Sequence, residues 1–376
     1  MIDPSQARVW LSARAWLAMI ACDVAIGIGV LVDKVVKHYP TYEYAQLLAT
    51  YRFGIIRRAL VGQIWALVHE QVAAGDVYLL GAAVILVTIV MFLFVFGSIF
   101  RFSADSMPLL ALTFGSPFWF KNFVYTIGYF DILGCLSALI VLALPLNAFY
   151  MLAAAGLCIF LLFVHHIHFL LYVPAIGLIA LLRHRAAEKC NRAFVAQAAI
   201  VALATCAAFV FLTFFVRPPV SPEIFLQSLR DRAADPVDPD VLRLWYSTIA
   251  EEIERARFVM AGNLMRVPIY AVLILLHGPL IGYFCRLLRA LANRADRLFV
   301  VAGLAVITAG YIAICVVVFD YSRWVSNWAV CMMLVMFAVR LLPSRAAEAT
   351  IALTPRNATL AWIVTLIPRV GITRPF

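Results

Sequence analysis

Charged side chains are what this sequence has least of. They make up 13% of its 376 residues, about half the usual share for a soluble globular domain. That scarcity excludes a chain with an extensive solvated surface. Apolar residues reach 65% and fall in continuous runs of about 20, the helix length needed to cross hydrocarbon. The runs do not alternate with polar residues, which excludes a strand barrel. The eight cysteines include no CxxC pair and lie almost all within apolar runs. Neither a disulfide framework nor a zinc site is indicated, and they read as small core residues. A Walker loop, a GxSxG elbow and a GxGxxG turn are all missing, so nucleotide-driven transport and serine hydrolase chemistry lack a motif. No internal repeat or low-complexity tract is present.

What remains is an all-α polytopic membrane bundle, a single integral membrane domain over 1–376 with about 10–11 transmembrane helices. Spans are expected near 12–32, 77–100, 107–120, 129–146, 148–165, 167–182, 193–216, 267–288, 298–319 and 324–342, with a weaker one at 358–369. Pro108, Gly115 and Pro117 make 107–120 a broken or re-entrant segment. The N-terminal run lacks a small-residue cleavage site and reads as a retained first helix. The net charge of +10 is scattered over short connections, as topology and lipid headgroups demand, and nucleic acid is not an expected partner. The tight connections "RHRAAEKCNR", "RLLRALANRADR" and "RLLPSR" are densely basic. With Arg8 and Arg14 they fall on one side, cytoplasmic by the positive-inside bias. The expectation is therefore a plasma (inner) membrane protein with its N-terminus in the cytoplasm.

Two loops face the other way. Loop 33–76 carries Lys34, Lys37, Arg52, Arg57 and Arg58. Its stretch "IIRRALVGQIWALVHEQV" places Ile56, Leu60, Ile64, Leu67 and Val68 at helical spacing, which predicts an interfacial amphipathic helix. Loop 217–266 holds seven arginines and eight acids, so it is nearly neutral, with a helix predicted from Val241 to Met260.

Polar residues collect on this outer side, and charged groups near hydrocarbon tend to line cavities or pathways. Asp33 and Glu43 are candidate carboxylate bases, against the plainer reading of a solvated helix end. Arg57 and Arg58 offer planar forks that grip phosphate, against snorkelling to lipid phosphates. Gly54 and Gly62 nearby suit close approach of a headgroup. Asp131 opens a long apolar helix, where it also complements the helix dipole. Trp119 and its aromatic neighbours form a belt or the wall of a sugar or lipid site. His165, His166 and His168 suit phosphate contact or proton relay better than metal binding. Asp320 and Arg323, three residues apart, can pair on one helical face beside Trp324. Asp23, within the first helix, has no assigned partner.

The order of an acid after helix one, then "YEY" and "ATYRFGIIRRALVG", then helix pairs with polar outer ends, resembles the GT-C superfamily of integral membrane glycosyltransferases and their bacterial relatives. The specific likeness covers roughly 25–65. The acidic pair usual after helix one and the C-terminal soluble domain of some members are missing. The resemblance implies a catalytic acid in the first outer loop, matched by Asp33 or Glu43, and a basic residue for lipid phosphate, matched by Arg57 or Arg58. It further implies transfer of a sugar from a polyprenyl-phosphate carrier to an unspecified acceptor outside the cytoplasm. No organic cofactor is expected, and a divalent metal is left open. A polysaccharide polymerase or ligase, a lipid-linked glycan flippase and, more distantly, an acyltransferase are the alternatives.

Overall fold

The computed structural model describes residues 13–103, 105–189, 191–318, 320–344, 351 and 354–370. Arg8, the N-terminal stretch read as uncleaved, Cys190 and Arg345 lie outside the described residues. The protein is all-α, with no strand among the described residues.

Helix α1 (Ala13–Lys37) is followed by two short helices, α2 (Thr41–Leu48) and α3 (Leu60–Trp65), and then by α4 (Ala74–Phe100). Two fragments, α5 (Met107–Phe114) and α6 (Phe120–Tyr125), lead to α7 (Asp131–Ala143) and α8 (Tyr150–Val164). The single turn α9 (His168–Leu171) precedes α10 (Val173–Ala186), and α11 (Arg192–Val210) runs on into a π turn, Phe211–Phe215. Next come α12 (Pro222–Arg230), α13 (Arg243–Tyr246), α14 (Ile249–Leu264), α15 (Val267–Leu276) and α16 (Gly278–Ala290). The chain closes with α17 (Arg294–Val317), α18 (Tyr321–Arg340) and α19 (Pro355–Leu366).

Among the described residues five helices are long and apolar enough to cross a membrane: α1, α4, α11 with its π turn, α17 and α18. The α14–α15 pair, bent by 73°, makes a sixth if it is one broken span. This is a polytopic membrane protein. The other expected spans are realised as shorter pieces. Helix α7 has 13 residues and α19 has 12, roughly 20 Å or less at 1.5 Å per residue, against about 30 Å of hydrocarbon. The reason is visible in α7, which packs among α4, α10 and α18. Its apolar residues meet protein on most sides, and hydropathy does not distinguish that from lipid. The break expected in 107–120 is present at Gly115–Trp119. A Cβ on Gly115 would lie 2.2 Å from Asp23 Oδ2, so only glycine lets the two segments meet. Trp119 stands in the main core, fully buried against Phe92 and Phe120.

Helix α17 separates two ends of the bundle by about 36 Å. At its Arg294 end the basic connections meet: Arg185 pairs with Asp296, and Ala292 N–H donates to Pro343 O at 3.2 Å. At its Val317 end the two polar loops form one cap. Tyr44, Leu48, Ile56 and Val72 of the first share a core with Phe225, Leu229 and Trp245 of the second. Tyr44 Oη donates to Val72 O at 2.6 Å, and Ala74 N–H donates to Asp235 Oδ2 at 2.8 Å. The amphipathic stretch is helical only over Leu60–Trp65, because Ile56 is buried in this cap while Leu67 and Val68 stay exposed. Gly62 answers to packing: a Cβ there would sit 2.1 Å from Ala49 O. The helix expected over Val241–Met260 is interrupted at Ser247–Thr248, between α13 and α14.

Candidate anion-binding site

Beneath the cap lies a pocket of about 530 Å³, walled by both polar loops and by the ends of α8, α11, α17 and α18. Five arginines line it, Arg57, Arg58, Arg243, Arg255 and Arg323, against two carboxylates, Glu252 and Asp320. His165, His166 and Trp324 also face it. Its deeper wall is apolar, built by Leu170, Phe209, Ala313, Ile314 and Val317.

Each arginine is held differently. Arg57 and Trp245 exchange hydrogen bonds: Arg57 Nη2 donates to Trp245 O at 2.7 Å, and Trp245 Nε1 donates to Arg57 O at 2.7 Å. The second loop thereby fixes the first. Arg58 adopts a left-handed backbone, with φ of 60°, an arrangement that for a non-glycine residue costs about 1–3 kcal/mol and concentrates at functional sites. Its Nε is buried without a hydrogen-bond partner. Burial, then the charges of Arg57 and Arg323, push its guanidinium down to about 9, which leaves it protonated at neutral pH. Arg243 stacks on Tyr42 at 4.3 Å, and Arg255 pairs with Glu252 at 2.9 Å.

Arg323 is clamped from behind. Its Nε and Nη2 grip the two oxygens of Asp131, the latter bond at 2.7 Å. Asn327 Nδ2 donates to Asp131 Oδ2 at 3.1 Å, and Tyr172 Oη donates to Asn327 Oδ1 at 2.6 Å. The rings of Tyr129 and Trp324 lie 4.4 and 4.7 Å from the guanidinium carbon. Asp131 follows Phe130, another left-handed residue at φ of 63°, so strained backbone flanks the pocket on two sides. The principal partner of Arg323 is thus Asp131 on another helix. Asp320 lines the pocket with one oxygen accepting from Ser322 Oγ at 3.1 Å.

Arg57, Arg58, His165, His166, Asp320, Arg323 and Trp324 therefore converge. Asp33 does not join them: it is half exposed, paired with Lys37 one turn later at 2.6 Å, and is not among the residues that line the pocket. Glu43 is buried behind the pocket wall, 4.0 Å from Lys34, and burial raises its pKa against the pull of that lysine. Asp131 is engaged by Arg323, and Trp119 belongs to the core. His168 is fully buried beside Tyr172, with ring centroids 5.8 Å apart, and is outside the pocket lining. His165 Nδ1 accepts from Ile167 N–H at 3.2 Å, which in a neutral ring puts the proton on Nε2. Among the described residues no three His, Cys, Asp or Glu side chains are grouped to hold a metal ion.

Sequence reasoning passed over Arg243, Glu252 and Arg255. A signal was available in "RLWYSTIAEEIERAR", where charges recur at helical spacing beside Trp245. The chain matches no protein-family model, no curated protein and no solved structure.

Proposed function

We propose that this protein is a membrane glycosyltransferase that moves a sugar from a polyprenyl-phosphate carrier to an acceptor outside the cytoplasm. The observation that carries the reading is the pocket's two-part character: a surplus of guanidinium groups at the head of an apolar trough. The trough runs between α11 and α17, whose outer faces expose Phe214, Phe215, Ile312 and Val316. An amphiphilic anion with a long hydrocarbon tail fits both halves. A soluble nucleotide sugar has no use for the trough. The side follows from charge bias, since the tight basic connections gather at the opposite end of the bundle.

In the reaction an acceptor hydroxyl attacks the anomeric carbon. The bond from that carbon to the phosphate oxygen breaks, and the electron pair stays on phosphate. Arg58, Arg57 and Arg323 meet the growing charge, the kind of fixed electrostatic stabilisation that is usually the largest catalytic contribution. Asp320 takes the acceptor proton. Asp320 is assigned because it lines the pocket beside Arg323 and Trp324, whereas Asp33 lies elsewhere.

The test gives purified protein in nanodiscs a panel of radiolabelled polyprenyl-phosphate sugars with crude envelope acceptor. Arg58→Ala is expected to lower transfer by about 10²–10³, by analogy with removing one oxyanion donor. Asp320→Asn should lower it similarly with the donor still bound. Passage of the labelled lipid between leaflets with no bond broken would replace this reading with a headgroup transporter.

A further inference from the structure

A second depression opens on the outer face of the cap, away from the arginine pocket. It is an open basin of about 700 Å³ floored by Tyr51, Gln63 and Arg232 and rimmed by Arg52, His69 and Glu70. None of these residues lines the first pocket. We infer that this basin is the docking site for a saccharide acceptor; the inference rests on the transferase reading and supplies the acceptor class it lacks.

The chemistry of the lining points to a polyhydroxylated ligand. Gln63 Oε1 accepts from Tyr51 N–H at 2.9 Å, so its amide nitrogen keeps both donors. Arg232 anchors one nitrogen on Leu48 O while its Nη2 is buried with no partner. The Tyr51 hydroxyl is likewise buried and unpaired. Both retain unused hydrogen-bonding capacity just beneath the basin floor, and the accessible polar groups above them are those of Gln63, Arg52, His69 and Glu70. Glu70 adds an exposed acceptor, and His69 lies flat against Trp65, ring centroids 4.7 Å apart at 24°. Donors and acceptors beside a flat aromatic face are what a sugar ring needs, with its hydroxyl edge and apolar face. A site for phosphate alone would not combine Glu70 with so many neutral groups. Ile64, Leu67 and Val68, sequence neighbours of the lining residues Gln63, Ala66 and His69, are exposed apolar side chains, suited to a membrane surface from which a membrane-borne glycan arrives.

Equilibrium dialysis of the full chain in nanodiscs tests this with three labelled probes: maltohexaose, hexagalacturonate and inorganic phosphate. Wild type is expected to bind one or both saccharides. Arg232→Gln and Glu70→Gln should each weaken that binding by about tenfold, the equivalent of one hydrogen bond to a charged group. Glu70 is exposed, so its variant folds even where Arg232→Gln does not. Binding of a polyprenyl phosphate, read on the same samples, should be unchanged in both variants. No saccharide binding by wild type, saccharide binding indifferent to both variants, or phosphate binding alone would each overturn the inference. Those results do not depend on the transfer assay, whose failure would be seen separately as loss of donor turnover.

Discussion

The buried ion pairs Lys121–Asp23 and Arg323–Asp131 differ in what their cations have left to give. In the first, Lys121 Nζ binds Asp23 Oδ1 at 3.0 Å, Thr365 O at 2.7 Å and Val364 O at 3.4 Å. An ammonium has three donors, so this one is saturated. It closes the C-terminal end of α19, whose last carbonyls have no intrahelical partner, onto α1 and α6. In the second, Arg323 gives two of its five N–H donors to Asp131 and keeps the rest beside the pocket. The side chains are buried to similar degrees, 3% and 1% exposed for Lys121 and Asp23 against 8% and 1% for Arg323 and Asp131. Burial therefore does not tell a structural pair from a site pair. Residual donor capacity and a cavity do.

The comparison is sharpest when one partner is removed. Lys121→Met strands Asp23 and the Thr365 carbonyl, while Val364 O keeps its bond from Ile367 N–H, and should cost about 3–5 kcal/mol, the usual penalty for breaking a buried pair. Arg323→Met should cost a similar amount. Neutralising both partners separates them. Asp23→Leu with Lys121→Met should recover most of the thermal stability, since replaced buried pairs are often neutral, and transfer per folded molecule should return with it. Asp131→Leu with Arg323→Met should regain stability while transfer stays down by about 10²–10³. Equal recovery of transfer in both doubles would erase the distinction.

A milder probe keeps the charge. Arg323→Lys cannot hold Asp131 bidentately and still face the pocket, because an ammonium is a point charge without a fork. Transfer should fall by about tenfold through loss of one charged hydrogen bond. Lys121→Arg, by contrast, asks a larger group to enter a saturated site and should affect melting temperature more than turnover. Smaller still is Trp245→Phe. It removes the indole donor to Arg57 O, worth about 1 kcal/mol. Amide exchange should quicken over the Arg57–Arg58 turn, and the apparent donor KM should rise several-fold with kcat less affected.

How much of this was legible in the sequence depends on range. Arg57, Arg58, His165, His166 and Arg323 stood out because charge beside apolar runs is rare, and that signal needs no partner. Asp131 and Arg323 are 192 positions apart, and Asp23 and Lys121 are 98 apart; no local pattern joins such pairs, so Arg323 was matched with its neighbour Asp320. Arg243 and Arg255 were hidden by counting, since loop 217–266 balances to near neutrality while folding its charges onto different faces. The all-α membrane character was plain from hydropathy. The number of full-length spans was not, because α7 and α8 are as apolar as lipid-facing helices yet shorter than the hydrocarbon is thick. Asp33 was chosen for its position after helix one, and sequence position does not say which way a helix end turns.

That choice yields the smallest expected effect. Asp33 is half exposed, and its contact with Lys37 one turn later is an exposed i,i+4 pair, a class that contributes little. Asp33→Asn should leave both melting temperature and transfer unchanged, measured beside Asp320→Asn on the same preparation. The two residues bracket the assignment, one named by order along the chain and the other by the space it lines. Loss of transfer in Asp33→Asn with Asp320→Asn active would mean that the end of α1 reaches the substrate, and the reacting centre would then have to lie outside the arginine pocket.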